Sequence, residues 1–135
     1  MSDAAARAAI HEAGHAVTAV ALGIRIDGVG IDPDRSYCYV GPASVTDSLK
    51  IAFAGLESEI RAFGSASAAQ ARGDLEMIAS WQRRHHLPGP YVEGMRPKVR
   101  RLLRRRWDQV ERVAAALALA RRLSGAEIDF LVRTA

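Results

Sequence analysis

The sequence predicts a mainly α-helical domain with a small β-hairpin near its first helix. Apolar residues recur every three or four positions through most of the 135 residues. Gly, Pro and Ser punctuate those stretches, and two short β-prone runs between residues 24 and 40 are separated by turn residues. The length suits one domain with one core, spanning residues 1–135. Aromatics make up only 6% and alanine is abundant, which favours closely packed helices.

The first helix is expected over residues 3–22, with Gly23 as its stop. Ile24-Arg25-Ile26-Asp27 alternates apolar and polar, and Val29 and Ile31 continue the pattern. Tyr37-Cys38-Tyr39-Val40 is a second β-prone run, and Asp32-Pro33-Asp34-Arg35-Ser36 between them is turn chemistry, so a hairpin follows. Thr46 or Asp47 is the expected cap of a second helix ending at Phe63 and closed by Gly64. Its stripe is Leu49, Phe53, Leu56, Ile60 and Phe63. A third helix is expected over residues 67–85, with Gly73 as a weak point. Leu87-Pro88-Gly89-Pro90 is a break, and residues 91–97 read as loop. A long fourth helix is expected over residues 98–122, burying Leu103, Trp107, Val110, Val113 or Ala114, and Leu117. Ser124-Gly125-Ala126-Glu127 has the form of a capping box that starts a last short helix.

Chemistry concentrates in the first helix, at His11-Glu12-Ala13-Gly14-His15. Four helical residues turn through about 400°, so His11 and His15 project the same way one turn apart. Two imidazoles at that spacing can reach one zinc ion, and Glu12 between them can act on a water at the same metal. The other reading, two core histidines without a metal, is disfavoured by the small apolar setting around them. Gly14 costs about 1 kcal/mol relative to alanine in a helix. A packing or site reason for it is therefore expected, such as close approach of another element.

A zinc site needs a further protein ligand and keeps one position for water. Glu57, Glu59, Asp74, Glu76, His85 and His86 all lie downstream. Glu59 sits among apolar helix neighbours, an expensive place for a carboxylate without a partner. Asp74 follows Gly73, and its structural alternative is a helix cap. His85-His86 adjoins a Pro-Gly break and Arg83-Arg84, a cationic setting that suits a surface loop better than a metal. The residue chemistry leaves Glu59 and Asp74 level.

The segment His11-Glu12-Ala13-Gly14-His15-Ala16-Val17 resembles the zinc helix of the FtsH-type (M41) ATP-dependent metalloproteases. Phe53-Ala54-Gly55-Leu56-Glu57-Ser58-Glu59-Ile60-Arg61-Ala62-Phe63-Gly64 resembles that family's Gly-Gly-Arg-x-Ala-Glu-Glu-x-x-Phe-Gly segment. Gly73-Asp74-Leu75-Glu76-Met77-Ile78 stands where the family has Asn-Asp-Leu-Glu. Leu123-Ser124-Gly125-Ala126-Glu127-Ile128 is similar to its closing helix. The first motif is shared by many metallopeptidases; the ordered set is much more specific and spans nearly the whole chain.

The resemblance implies a helical zinc-peptidase domain. It implies His11, His15 and Asp74 as ligands of one Zn²⁺, Glu12 as catalytic acid/base, and Glu59 as a group orienting a ligand imidazole. The implied substrate is polypeptide, in unfolded or flexible segments. A hairpin edge, residues 24–29 or 37–40, is the expected place for it to pair as an added strand. The chain departs from the family in holding no Gly-x-x-x-x-Gly-Lys-Ser/Thr phosphate loop and in having Gly73 for the usual Asn. It is therefore expected to act without ATPase activity of its own, with a separate ATPase or self-association as possible partners. The alternative function is a catalytically silent zinc-binding adaptor or regulatory module.

Composition narrows the remaining classes. The sequence has no run of eighteen apolar residues and no secretory signal. One cysteine, Cys38, excludes an internal disulfide and agrees with a cytoplasmic location; it is expected as a half-buried strand residue rather than a ligand. Residues 1–82 hold 6 Lys+Arg against 10 Asp+Glu, and residues 83–135 hold 13 against 5. The basic half includes Arg100, Arg101, Arg104, Arg105 and Arg106. With only Trp107 as a nearby aromatic, this run reads as a solvated helix face rather than a nucleic-acid surface.

Overall fold

The computed structural model describes residues 3–133 of the chain. It is mainly helical, with a small three-stranded antiparallel sheet, as the sequence patterning predicts. The central element is α1 (Asp3–Ala21), which is buried on nearly all sides from Ala8 to Ala19. Apart from Ile10, His11, Glu12 and His15, its side chains are small there, so neighbours approach closely. It packs against α2 (Val45–Phe63), α6 (Trp107–Ala120), β1 (Ile26–Ile31) and β2 (Ser36–Val40). Ala13, Ala16 and Val17 have no solvent exposure. A Cβ on Gly14 would strike the Ser58 hydroxyl and come within 2.7 Å of the Ala54 carbonyl. The glycine expected to have a packing reason therefore has one: it brings α1 and α2 together.

In the sheet, β1 lies between β2 and β3 (Arg122–Leu123). The hairpin register pairs Val29 with Cys38 and Ile31 with Ser36, and a bulge separates Ile26 from Gly28. Two expectations change here. Residues 24 and 25 lie before the strand, and β3 was not expected, because two residues are too few to show a period. Since β3 covers Val29 and Gly30, β2 is the edge strand beside the first helix that stays unpaired among the described residues.

The cap of α2 is Ser44, not Thr46 or Asp47: its hydroxyl accepts from Asp47 N–H at 3.1 Å. Gly64 closes the helix at φ 84°, where its N–H donates to the Ile60 carbonyl. Leu49, Phe53 and Leu56 are buried as expected, whereas Phe63 is exposed beneath the Arg7 guanidinium. Helix α3 (Ala68–Arg84) lies against α2 with only Ala71 and Ile78 buried, two turns apart on one face.

Residues 91–93 and 95–97 are helical, against the loop reading, with Gly94 as the turn between them. They belong to α4 (Gly89–Glu93) and the start of α5 (Met95–Arg105). Pro97 falls in the first turn of α5, where a missing N–H costs nothing. The long helix expected over residues 98–122 is two helices, α5 and α6, broken at Arg106 (φ −117°, ψ 19°). No Gly or Pro marks that break. Leu103 and Val110 are seven residues apart, close to two turns, so the buried stripe runs through it in phase. The capping box holds: Glu127 N–H donates to Ser124 Oγ at 3.1 Å and Ser124 N–H to Glu127 Oε1 at 3.0 Å, opening α7 (Gly125–Arg133). Among the described residues, no helix is long and apolar enough to cross a membrane.

Candidate metal centre

His11 and His15 stand one turn apart on α1, with ring centroids 4.7 Å from each other. Each ring is held from behind. His11 Nδ1 lies 2.7 Å from Glu59 Oε2, and His15 Nδ1 lies 2.6 Å from the Ile51 carbonyl. A carbonyl only accepts, so the His15 Nδ1 carries the proton and its Nε2 faces forward. Donation from His11 Nδ1 to the Glu59 carboxylate orients the second ring likewise.

Both Nε2 atoms point at one carboxylate oxygen. Asp74 Oδ2 is 2.7 Å from His11 Nε2 and 3.0 Å from His15 Nε2. The three side chains offer ligand atoms within 4.8 Å of one another. Asp74 is the seventh residue of α3, well inside the helix, so the helix-cap reading is overturned. Of the six downstream candidates, Asp74 alone joins the two histidines. Glu57 is instead bonded by Arg96 (2.8 and 2.9 Å) and Arg100 (2.7 Å). Glu76, His85 and His86 are exposed and outside the group.

Glu59 is fully buried and lies behind the site. Its Oε2 accepts the hydrogen bond from His11 Nδ1. Its Oε1 accepts from Ser67 N–H at 3.2 Å, Ser67 Oγ at 3.1 Å and Arg7 Nη1 at 3.5 Å. The hydroxyl at the start of α3 thus serves this carboxylate instead of capping its own helix. Burial raises the Glu59 pKa, but the bonds from His11 and Ser67 outweigh it and hold the carboxyl below its ordinary range. This answers the question of how a carboxylate survives in that helix.

The charges form one coupled set. Burial by itself lowers the His11 pKa, yet its hydrogen bonds to Asp74 and Glu59 raise it to about 9. Burial likewise opposes the charge on His15, and Asp74 overcomes it. Asp74 would be raised by burial, but the two imidazoles hold it well below the usual carboxylate range. The spacings of 2.7 and 3.0 Å from the two Nε2 atoms to Asp74 Oδ2 are those of hydrogen bonds. Glu12 is buried, its pKa raised chiefly by that burial, and it lines the same cleft. Among the described residues it has no hydrogen-bond partner, which leaves its oxygens available.

Gly55 of α2 lies directly under the imidazoles. A Cβ there would fall 2.6 Å from His15 Nε2 and against His11 Nε2. Two forward-facing imidazole nitrogens, one carboxylate oxygen and the space that Gly55 leaves beneath them could hold a metal ion. The roles of Gly55, Arg7, Ser67 and the Ile51 carbonyl were missed in the sequence. Only Gly55 carried a signal, as a helix-interior glycine with about 1 kcal/mol against it.

A cleft of about 820 Å³ opens over the centre. Tyr37, Tyr39 and Val40 of β2 line one side, and Met77 and Trp81 of α3 line another. Tyr37 and Tyr39 stack at 4.7 Å, with Arg35 within 6 Å of both rings. Cys38 also lines the cleft. It is half-buried on the strand as expected, outside the ligand group, and its thiol pKa is pushed up by burial. Compared with known proteins, the chain matches no family model, and no curated protein is detectably similar to it.

Proposed function

We propose that this chain is a zinc-dependent metallopeptidase of the FtsH type, cleaving peptide bonds in flexible or unfolded polypeptides. The observation that carries the reading is the convergence of His11 Nε2, His15 Nε2 and Asp74 Oδ2 beside the Glu12 carboxylate, which has no hydrogen-bond partner among the described residues, in an open cleft. His11, His15 and Asp74 would hold the ion. Bound there, zinc supplies a Lewis acid that brings the pKa of water toward neutrality and offsets negative charge on a carbonyl oxygen under attack.

The protein's own groups supply the rest. Glu12 takes the proton of the attacking water and delivers it to the departing amine nitrogen. Its raised pKa, caused by burial, makes it the stronger base for the first of these transfers. Glu59 and the Ile51 carbonyl keep both rings aimed forward throughout. The free edge of β2 pairs with an extended backbone, which selects segments able to unfold locally.

The test is zinc content together with cleavage of casein or a quenched peptide, comparing wild type, Asp74→Ala and Glu12→Gln. About one zinc per chain, lost in Asp74→Ala, and cleavage abolished in zinc-loaded Glu12→Gln are expected. Undiminished cleavage by Glu12→Gln would sink the mechanism. Full zinc loading with no cleavage by the wild type would favour the silent zinc-binding module.

A further inference from the structure

We infer that a second cleft, formed by α5 and α6 over the end of α1, binds the phosphate chain of a small polyphosphate ligand. Its volume is about 500 Å³. Lys98, Arg101 and Arg105 of α5 line it at steps of three and four residues, one face over two turns. Arg106, at the break between the helices, adds a fourth cation, and Gln109 adds an amide. Ala21 and Leu102 are its apolar lining residues. Among the described residues, no carboxylate lines the cleft.

These cations differ from their neighbours on α5. Arg96 and Arg100 face the other way and are occupied by Glu57. Lys98, Arg101 and Arg105 have no acidic partner among the described residues. Nor are they needed to cap α1. Its last carbonyls already accept from the chain's own amides: Thr18 and Ala19 from Leu22, Val20 from Gly23, and Ala19 again from Ile24. Four like charges around one small concavity repel one another, and pairs at this helical spacing are mutually unfavourable. An anion removes that repulsion, and arginine forks match phosphate oxygens in pairs.

The shape selects among anions. The cleft is too small for a long polymer track, and no aromatic ring lines it for a base to stack on. Trp107, the nearest in sequence, is engaged by Arg61 at 5.0 Å. Several phosphates close together, as in free tripolyphosphate or in a nucleotide's phosphate chain, match four cations spread over two turns. This inference is independent of the metal centre.

The experiment is calorimetric titration of the full chain with inorganic tripolyphosphate at about 50 mM salt, where screening is weak. One ligand per chain is expected, with affinity falling about tenfold or more in Arg101→Gln/Arg105→Gln. Arg83→Gln/Arg84→Gln, which removes the same charge from α3, should change it less than about twofold. Both variants keep His11, His15 and Asp74, so any zinc withdrawal by the ligand cancels between them. In wild-type amide spectra, residues 98–109 should shift on titration while α3 does not. ADP binding more tightly than pyrophosphate would identify a nucleotide; equal affinity would identify the free phosphate chain, and either supports the site. Absence of saturable binding would overturn it, as would equal weakening in the two variants. So would tighter binding of a single-stranded DNA of about twelve nucleotides that also depends on Arg83 and Arg84, which would mark a nucleic-acid surface.

Discussion

Glu59 and His11, 48 residues apart in sequence, are joined by a buried contact of 2.7 Å that sets which imidazole nitrogen faces the candidate metal position. The other carboxylate oxygen is tied to Ser67 and Arg7, so α1, α2 and the start of α3 are fastened together at this one group. Replacing Glu59 with Gln keeps the shape and removes the charge. Zinc should still bind at saturation, with affinity lowered about 10- to 100-fold. Competition against a chromogenic chelator measures this, and an unchanged affinity would show that the carboxylate does not orient His11.

Gly55→Ala should abolish the centre without unfolding the protein. The added methyl would occupy the space beneath both Nε2 atoms and push the rings apart. Zinc affinity should fall by at least about 100-fold, since ligand geometry tolerates little displacement. Far-ultraviolet circular dichroism should keep its helical signal. Normal zinc loading in this variant would contradict the arrangement described here.

Acidity should separate the metal-free and zinc-loaded proteins. The His11 pKa rises from its ordinary 6.5 to about 9 on folding, so its contribution is complete below 6.5 and lost as pH climbs through 9. His15 and Glu12, both raised, act in the same direction. Asp74 and Glu59, both lowered, contribute above their ordinary values and lose that contribution as pH falls through their folded ones. The metal-free protein should therefore lose stability between pH 6.5 and 9. Zinc must displace the same protons, so its affinity should rise over that interval. Thermal denaturation with and without zinc at several pH values tests both signs; a zinc-induced gain that shrinks as pH rises would refute the assignment.

Glu57 offers a stability test away from the centre. It is buried, and Arg96 and Arg100 hold both its oxygens. Arg96→Ala/Arg100→Ala leaves a buried carboxylate without a partner and should cost about 3 kcal/mol. Glu57→Leu, which removes the charge as well, should cost less. Urea denaturation gives both values, and the reverse order would mean that Glu57 packing outweighs its pairing.

Sequence alone was enough for several features that depend on neighbours along the chain, though not for the Ser44 cap of α2 or the helical turns around residues 91–97. The i, i+4 spacing of His11 and His15 put both on one helix face. Gly64 and the Ser124–Glu127 box marked helix ends, and the turn at residues 32–36 announced the hairpin. Each rests on backbone geometry within a few residues. By residue chemistry Glu59 and Asp74 were equal candidates for the third ligand, and the family resemblance favoured Asp74. In the fold, Asp74 stands in front of His11 across 63 residues of chain, and Glu59 stands behind it across 48. Both are acidic residues within helices, and only the packing of α3 and α1 on α2 assigns them opposite sides. The break at Arg106, the short β3 and the pairing of Glu57 with two arginines were likewise invisible. A stripe that continues in phase hides a break, two residues show no period, and a charge names no partner until distant segments meet.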